Sequence, residues 1–146
     1  MTRQPISDRM FNLVRSFISN RRAARRILSA LPVRFSIVRQ SSASKTHRSR
    51  SIAASTTDIS RSGLAISTSV IQIDNFHISM SSDMTSEQFL DIELTLPERS
   101  VHIEGRPLRY DRRESEAGGY LVGVQIMRMS DEDRLVYEEY LKHPVR

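Results

Sequence analysis

Leu31-Pro32-Val33-Arg34-Phe35-Ser36-Ile37-Val38 alternates apolar and polar side chains. Val33, Phe35 and Ile37 point one way while Arg34 and Ser36 point the other, the pattern of a strand with one buried face. Pro32 has no amide donor and is tolerated at a strand's first position. Working outward, Ile52–Ile59 reads as another strand, Gly63 as a turn and Leu64–Ser67 as the strand that leaves it. Alternation resumes clearly in Phe89, Leu90, Ile92, Leu94 and Leu96, and Pro97-Glu98-Arg99-Ser100 turns the chain. Val101–Tyr110 follows, with Gly105 and Pro107 marking a bulge or a sheet edge. Tyr120–Met127 is the last strand, with Val122, Val124 and Ile126 on one face. Ser130 then caps a helix whose first turn, Asp131, Glu132 and Asp133, suits the positive end of its dipole. Leu135, Val136, Tyr140 and Leu141 are its expected apolar face. Short strands, regular turns and one closing helix predict a mainly β fold, a small antiparallel barrel of about six strands with a helix over one end or face.

The remaining segments carry weaker patterns. Ser7 or Asp8 is a helix cap, and Met10, Leu13, Val14, Phe17 and Ile18 recur at helical spacing, predicting an amphipathic helix over 8–19. Residues 20–30 are a basic connector, 40–51 a Ser- and Arg-rich flexible loop, and 111–119 a charged loop. In 70–88, Val70, Ile71, Ile73, Phe76 and Ile78 favour a strand, whereas Ser79–Gln88 is polar.

The 146 residues make one ordinary domain with short extensions and contain no cysteine. Disulfides, thiolate metal sites and thiol nucleophiles are thereby excluded, and a reducing, cytoplasmic setting is expected. Arg9 and Arg15 interrupt the one apolar stretch near the start, so no secretory signal and no membrane span is read there. The formal charge of +5 conceals an asymmetry: residues 1–50 stand at +11 and residues 51–146 at −6. A basic arm on a mildly acidic body suits an anionic partner.

Two short motifs narrow that partner. Arg21-Arg22-Ala23-Ala24-Arg25-Arg26 places four guanidinium groups in six residues. Each presents a rigid fork of donors that grips a phosphate or the O6/N7 edge of guanine, and the four repel one another unless an anion holds them. Asp58-Ile59-Ser60-Arg61-Ser62-Gly63 ends a strand. Its side chains can simply hold a turn, with Gly63 free to take positive φ. The same carboxylate also accepts hydrogen bonds from the N1/N2 edge of guanine, and turn amides and hydroxyls bind nearby oxygens.

An Arg-x-x-x-Arg segment, a Leu-Pro-Val-Arg-Phe strand and Asp-x-Ser-x-x-Gly, in that order, resemble the PilZ domains, bacterial receptors for cyclic di-GMP. The resemblance extends through Leu90-Asp91-Ile92-Glu93-Leu94, Glu104–Tyr110, Tyr120–Ile126 and Ser130–Arg134. It implies a six-stranded PilZ-like barrel with a C-terminal helix, preceded here by an extra amphipathic helix. The implied division is an extension over 1–19, a PilZ-like domain over 20–142 and a tail over 143–146. Within the domain, 20–30 is the arginine loop, 31–129 the barrel and 131–142 the helix. By register, Arg22 and Arg26 match the family's arginine pair, and Asp58, Ser60 and Gly63 match the second motif. Arg21 and Arg25, one step out of register, are additional ligand-binding candidates. The implied function is a cyclic di-GMP effector whose arm changes conformation on binding and signals to a protein partner; a homodimer is a further expectation, and no cofactor is implied.

Two other classes stand beside it: a PilZ-fold interaction module that binds no nucleotide, and a nucleic-acid binder working through the basic arm. The arm lacks interleaved aromatics, and the chain has no reading helix or zinc pattern, so specific nucleic-acid binding is not expected. An enzyme is disfavoured. His47, His77, His102 and His143 fall at no metal spacing, no Gly-rich loop joins a strand to a helix, and Asp91/Glu93 and Glu114/Glu116 read as solvated charges.

Overall fold

The computed structural model describes residues 26–41, 45–78, 86–114 and 118–144. The N-terminal extension, Arg21, Arg22 and Arg25 lie outside the described residues. Six antiparallel strands close into a barrel: β2 (Pro32–Ser41), β4 (Ile52–Ile59), β5 (Gly63–Thr68), β8 (Ser86–Thr95), β9 (Ser100–Arg112) and β10 (Tyr120–Arg128). Around the ring the order is β4, β5, β10, β9, β8, β2, and β2 returns to pair with β4. Closure leaves every residue of these strands pointing either into the core or outward. Val33, Phe35 and Ile37 of β2 face inward, as their alternation predicts, and meet Leu90, Ile92, Leu94, Ile103, Val122 and Val124 in one cluster.

The seam between β2 and β4 is short, running from Pro32 opposite Ser55 to Phe35 opposite Ile52. Beyond it the chain of β1 (Ile27–Leu28) continues along the same edge of β4, so part of the expected connector is strand. Thr56 stitches the gap. Its buried hydroxyl accepts from the Leu31 amide at 2.9 Å and donates to the Ser29 carbonyl, while its own amide donates to Leu31. A buried backbone break would otherwise leave polar groups without partners.

Residues 40–51 are not simply a loop. Thr46–Arg48 forms β3, paired with Val38, Arg39 and Gln40 of β2. All three β3 side chains are exposed, so no apolar alternation announces the strand. Ser49 completes the join: its hydroxyl accepts from the Ile37 amide at 2.8 Å and its amide donates to the Ile37 carbonyl at 2.9 Å.

The undecided stretch after β5 contains a two-stranded hairpin, β6 (Gln72–Ile73) and β7 (Phe76–His77). Asp74 takes a positive φ of 56° at its turn, a conformation Asp tolerates better than most residues. Ile73 and Ile78 enter the core at this end, and Arg39 lies 4.8 Å over the Phe76 ring. Helix α1 (Asp131–Lys142) covers the other end and is capped as predicted, with Ser130 Oγ accepting from the Asp133 amide. Its buried face differs from expectation. Leu135 is 71% exposed, whereas Tyr137 is fully buried because its hydroxyl reaches a partner, the Ser60 carbonyl, at 2.6 Å.

Gly105 points inward, between Leu90 and Ile126. A Cβ there would collide with Val124 Cγ1 and stand 3.2 Å from Ile92 Cδ1. Overpacking a filled interior costs about 1–3 kcal/mol. Gly105→Val is therefore expected to lower the urea midpoint by at least that equivalent, whereas Gly118→Ala, where a Cβ meets open space, costs only the strain of its left-handed backbone.

Candidate functional site

Asp58 would point into the core if β4 alternated without interruption, because Thr56 already faces inward opposite Ile66. It does not, because β4 carries an extra residue. Thr56 pairs with Ile66 and Asp58 with Ala65, which leaves Thr57 as a bulge. The bulge flips Asp58 to the outer surface while Ile59, opposite Leu64, returns to the core. Across the other edge, Ile27 pairs with Ile59 and is buried, and Leu28 pairs with Asp58 and is 83% exposed.

Arg26, just before β1, donates from Nη2 to Asp58 Oδ2 at 3.1 Å. Thr57 Oγ1 stands 3.5 Å from the same oxygen. The Asp58 side chain is 7% exposed and that of Arg26 is 45% exposed. One part of the guanidinium is held by a sheltered carboxylate and the remainder faces solvent, a fixed donor fork suited to a phosphate or a base edge.

Ser60 and Gly63 close the β4–β5 hairpin. The Ser60 amide donates to the Gly63 carbonyl at 2.8 Å, and its hydroxyl donates to the same oxygen at 3.3 Å. Both residues are buried. Gly63 sits in β5 opposite Gln125 and does not use a left-handed φ; the glycines that do, among the described residues, are Gly118 and Gly119. The intervening Arg61 reaches Glu138 of α1 at 3.2 Å. A groove of about 420 Å³ lies beside this bridge, lined by Ile27, Arg61, Glu138, Leu141 and Lys142.

The structure thus brings together Arg26, Asp58, Ser60 and Gly63 of the sequence-derived set. It also shows residues the motif reading missed. Asp58 pairs with Ala65, Ala65 with Gly123, and Gly123 with Arg109, so these four form one row across β4, β5, β10 and β9. Three strand spacings separate its ends, roughly 14 Å. Ala65 and Gly123 put almost no side chain between them. The signal for Gly123 was available, since a glycine inside an apolar strand often marks a close approach of another group.

A second polar cluster occupies the outer face of β2, β3, β8 and β9. Asp91, read from sequence as a solvated charge, is gripped by Arg48 and His102, and Arg48 also donates to Ser36 Oγ at 3.1 Å. Burial raises the Asp91 carboxyl's pKa, but the hydrogen bonds and positive charge of Arg48 and His102 outweigh it and hold the carboxyl below the usual aspartate range. A depressed folded-state pKa gives stability that is present above the unfolded value and lost as pH falls through the folded one. Asp91→Asn is expected to reduce stability near neutrality by about 1 kcal/mol or less. In urea titrations that deficit should close in strongly acidic solution, where the wild-type carboxyl is also neutral; a deficit unchanged down to low pH would contradict the assignment.

Among the described residues, no helix is long and apolar enough to cross a membrane and no group of His, Asp or Glu is placed to hold a metal ion.

Comparison with known proteins matches this geometry to a family. No curated protein matches the chain. Among solved structures, the inhibitor of motility MotI/DgrA of Bacillus subtilis aligns with a TM-score of 0.51 at 18% identity, over 82% of this chain and 48% of that one. The chain therefore spans about half the length of that protein. The PilZ domain of YcgR from Escherichia coli with c-di-GMP aligns at a TM-score of 0.47 and 12% identity, over 84% of this chain and 96% of that one. PlzA of Borreliella burgdorferi in complex with c-di-GMP aligns at 0.38 and 11%, over 94% and 59%. The PilZ domain model matches residues 20–143, the whole barrel with both motifs and the closing helix, and the chain belongs to the PilZ domain family.

Proposed function

We propose that the protein is a cyclic di-GMP receptor and effector, a binding domain and not a catalyst. The observation that carries this reading is the Arg26–Asp58 pair, which joins the two motifs at the end of β4 with one face of the guanidinium still presented outward. The ligand has two phosphates and two guanines. Arg26 supplies a fork for a phosphate or for a guanine O6/N7 edge, and Asp58 supplies an acceptor for a guanine N1/N2 edge. Ser60 and Gly63 hold the hairpin that fixes Asp58. Arg22 is assigned the second fork by its register, with Arg21 and Arg25 beside it.

Effector action requires that binding be felt elsewhere. The hairpin is tied to α1 through Tyr137, which donates to the Ser60 carbonyl, and through Arg61, which pairs with Glu138. A ligand that shifts this turn shifts the helix with it, and a protein partner would read the change there or through the arm at residues 20–30. A cytoplasmic setting belongs to the same proposal and is supported by the cysteine-free composition.

Calorimetric titration with cyclic di-GMP is the test. The wild type should release binding heat. Each charge-assisted contact is worth about 1.5–3 kcal/mol, so Arg26→Ala and Asp58→Ala should each weaken binding roughly tenfold to a hundredfold. Absence of binding by the folded wild type, or equal affinity in all three proteins, would sink the proposal.

A further inference from the structure

β9 contains a second bulge, and it does to Arg109 what the first does to Asp58. Val101, Ile103, Gly105 and Pro107 are buried at successive alternate positions, so Arg109 is next in line to point into the core. Pro107 pairs with Val124 and Arg109 with Gly123, which leaves Leu108 as the extra residue. The parity reverses. Tyr110 takes the inward phase opposite Val122, and Arg109 emerges on the outer face. Its place there is the far end of the row that begins at Asp58 and crosses Ala65 and Gly123. Two bulges in non-adjacent strands turn an acid and a base onto one line across the same small-residue floor. Bulges concentrate beside functional sites, where they re-aim side chains.

Arg109 already holds an anion. Its Nη2 donates to Asp111 Oδ2, two residues along the same outer face, and both side chains are about half exposed. An ion pair that open to water is weak, so a phosphate oxygen arriving over Gly123 can displace the carboxylate at little cost.

We propose that Arg109 is a further ligand-contacting residue of this site, binding a phosphate of the ligand from the side opposite Arg26 in exchange for Asp111. The inference rests on the cyclic di-GMP reading above and adds to it a residue outside both motifs.

The experiment is titration of cyclic di-GMP into the full chain and four variants. Arg109→Ala should weaken cyclic di-GMP about tenfold, with the loss shrinking as salt is raised. Asp111→Ala, which frees the guanidinium, should tighten it several-fold. Arg106→Ala removes the same charge from β9 one row along, opposite Gln125, and should change affinity much less. Wild-type affinity in Arg109→Ala, with binding weakened in Arg26→Ala, would overturn this proposal and leave the receptor reading standing. An equal loss in Arg106→Ala would overturn it too, by showing a bulk charge effect. Failure of the wild type to bind would overturn both.

Discussion

A closed barrel enforces a parity on its residues. Each strand alternates inward and outward, and one slip exposes apolar side chains and buries polar ones. In β4 this constraint meets a conflict, since Thr56, Asp58 and Ser60 share one phase while Ile59 must be in the core. The extra residue at Thr57 resolves it. Thr56 remains inward, where its hydroxyl is consumed by the Ser29 and Leu31 backbone at the seam that closes the ring. Past the bulge, Asp58 is outward and Ile59 inward. Barrel closure and site formation therefore depend on the same three residues.

The parts of the fold that were legible in sequence are those where parity is uninterrupted. In β2, β8 and β10 the alternation of Val33, Phe35 and Ile37, of Leu90, Ile92 and Leu94, and of Val122 and Val124 marks the inward face directly. The helix is legible through its cap, although its buried face is not: Tyr137 is chosen over Leu135 by a hydrogen bond to Ser60, a residue 77 positions away. β3 is illegible because its side chains are all in solvent, so its pairing leaves no hydrophobic trace.

The site divides the same way. Asp58, Ser60, Gly63 and the arginine cluster form contiguous motifs and are readable as such. The Ala65–Gly123–Arg109 row is not, because it exists only once two registers are known and the bulges at Thr57 and Leu108 are counted. Gly105 and Pro107 do hint that β9 is irregular, but a hint of irregularity does not say whether Arg109 ends inside or outside. Neither bulge uses a glycine, so neither advertises its position.

The same parity logic links the hairpin to the helix, since the residues that hold the hairpin inward are those that hold the helix. Ser60 is buried, and its carbonyl is the partner that lets Tyr137 place a phenol in the core without an unpaired hydroxyl. Tyr140 shares a 2.9 Å hydrogen bond with Ser29, in the strap between β1 and β2 that Thr56 also secures. Arg61 at the hairpin tip holds Glu138 from outside. Helix α1 is thus attached to the two chain segments that flank Asp58, and its first turn is held by β9 and the turn before it, through Arg99 with Glu132 and Asp133 and through the His102 amide, which donates to Asp133 Oδ2 at 2.9 Å. A displacement of either segment changes a hydrogen bond of the helix, and the Arg48–Asp91–His102 face, on strands that do not carry Asp58 or Arg26, meets the helix separately through the His102 backbone. The helix is therefore held at both ends: a perturbation at the Asp58 hairpin reaches its C-terminal half through Tyr137 and Glu138, and one at the Arg48–Asp91–His102 face reaches its first turn through the bond from the His102 amide to Asp133.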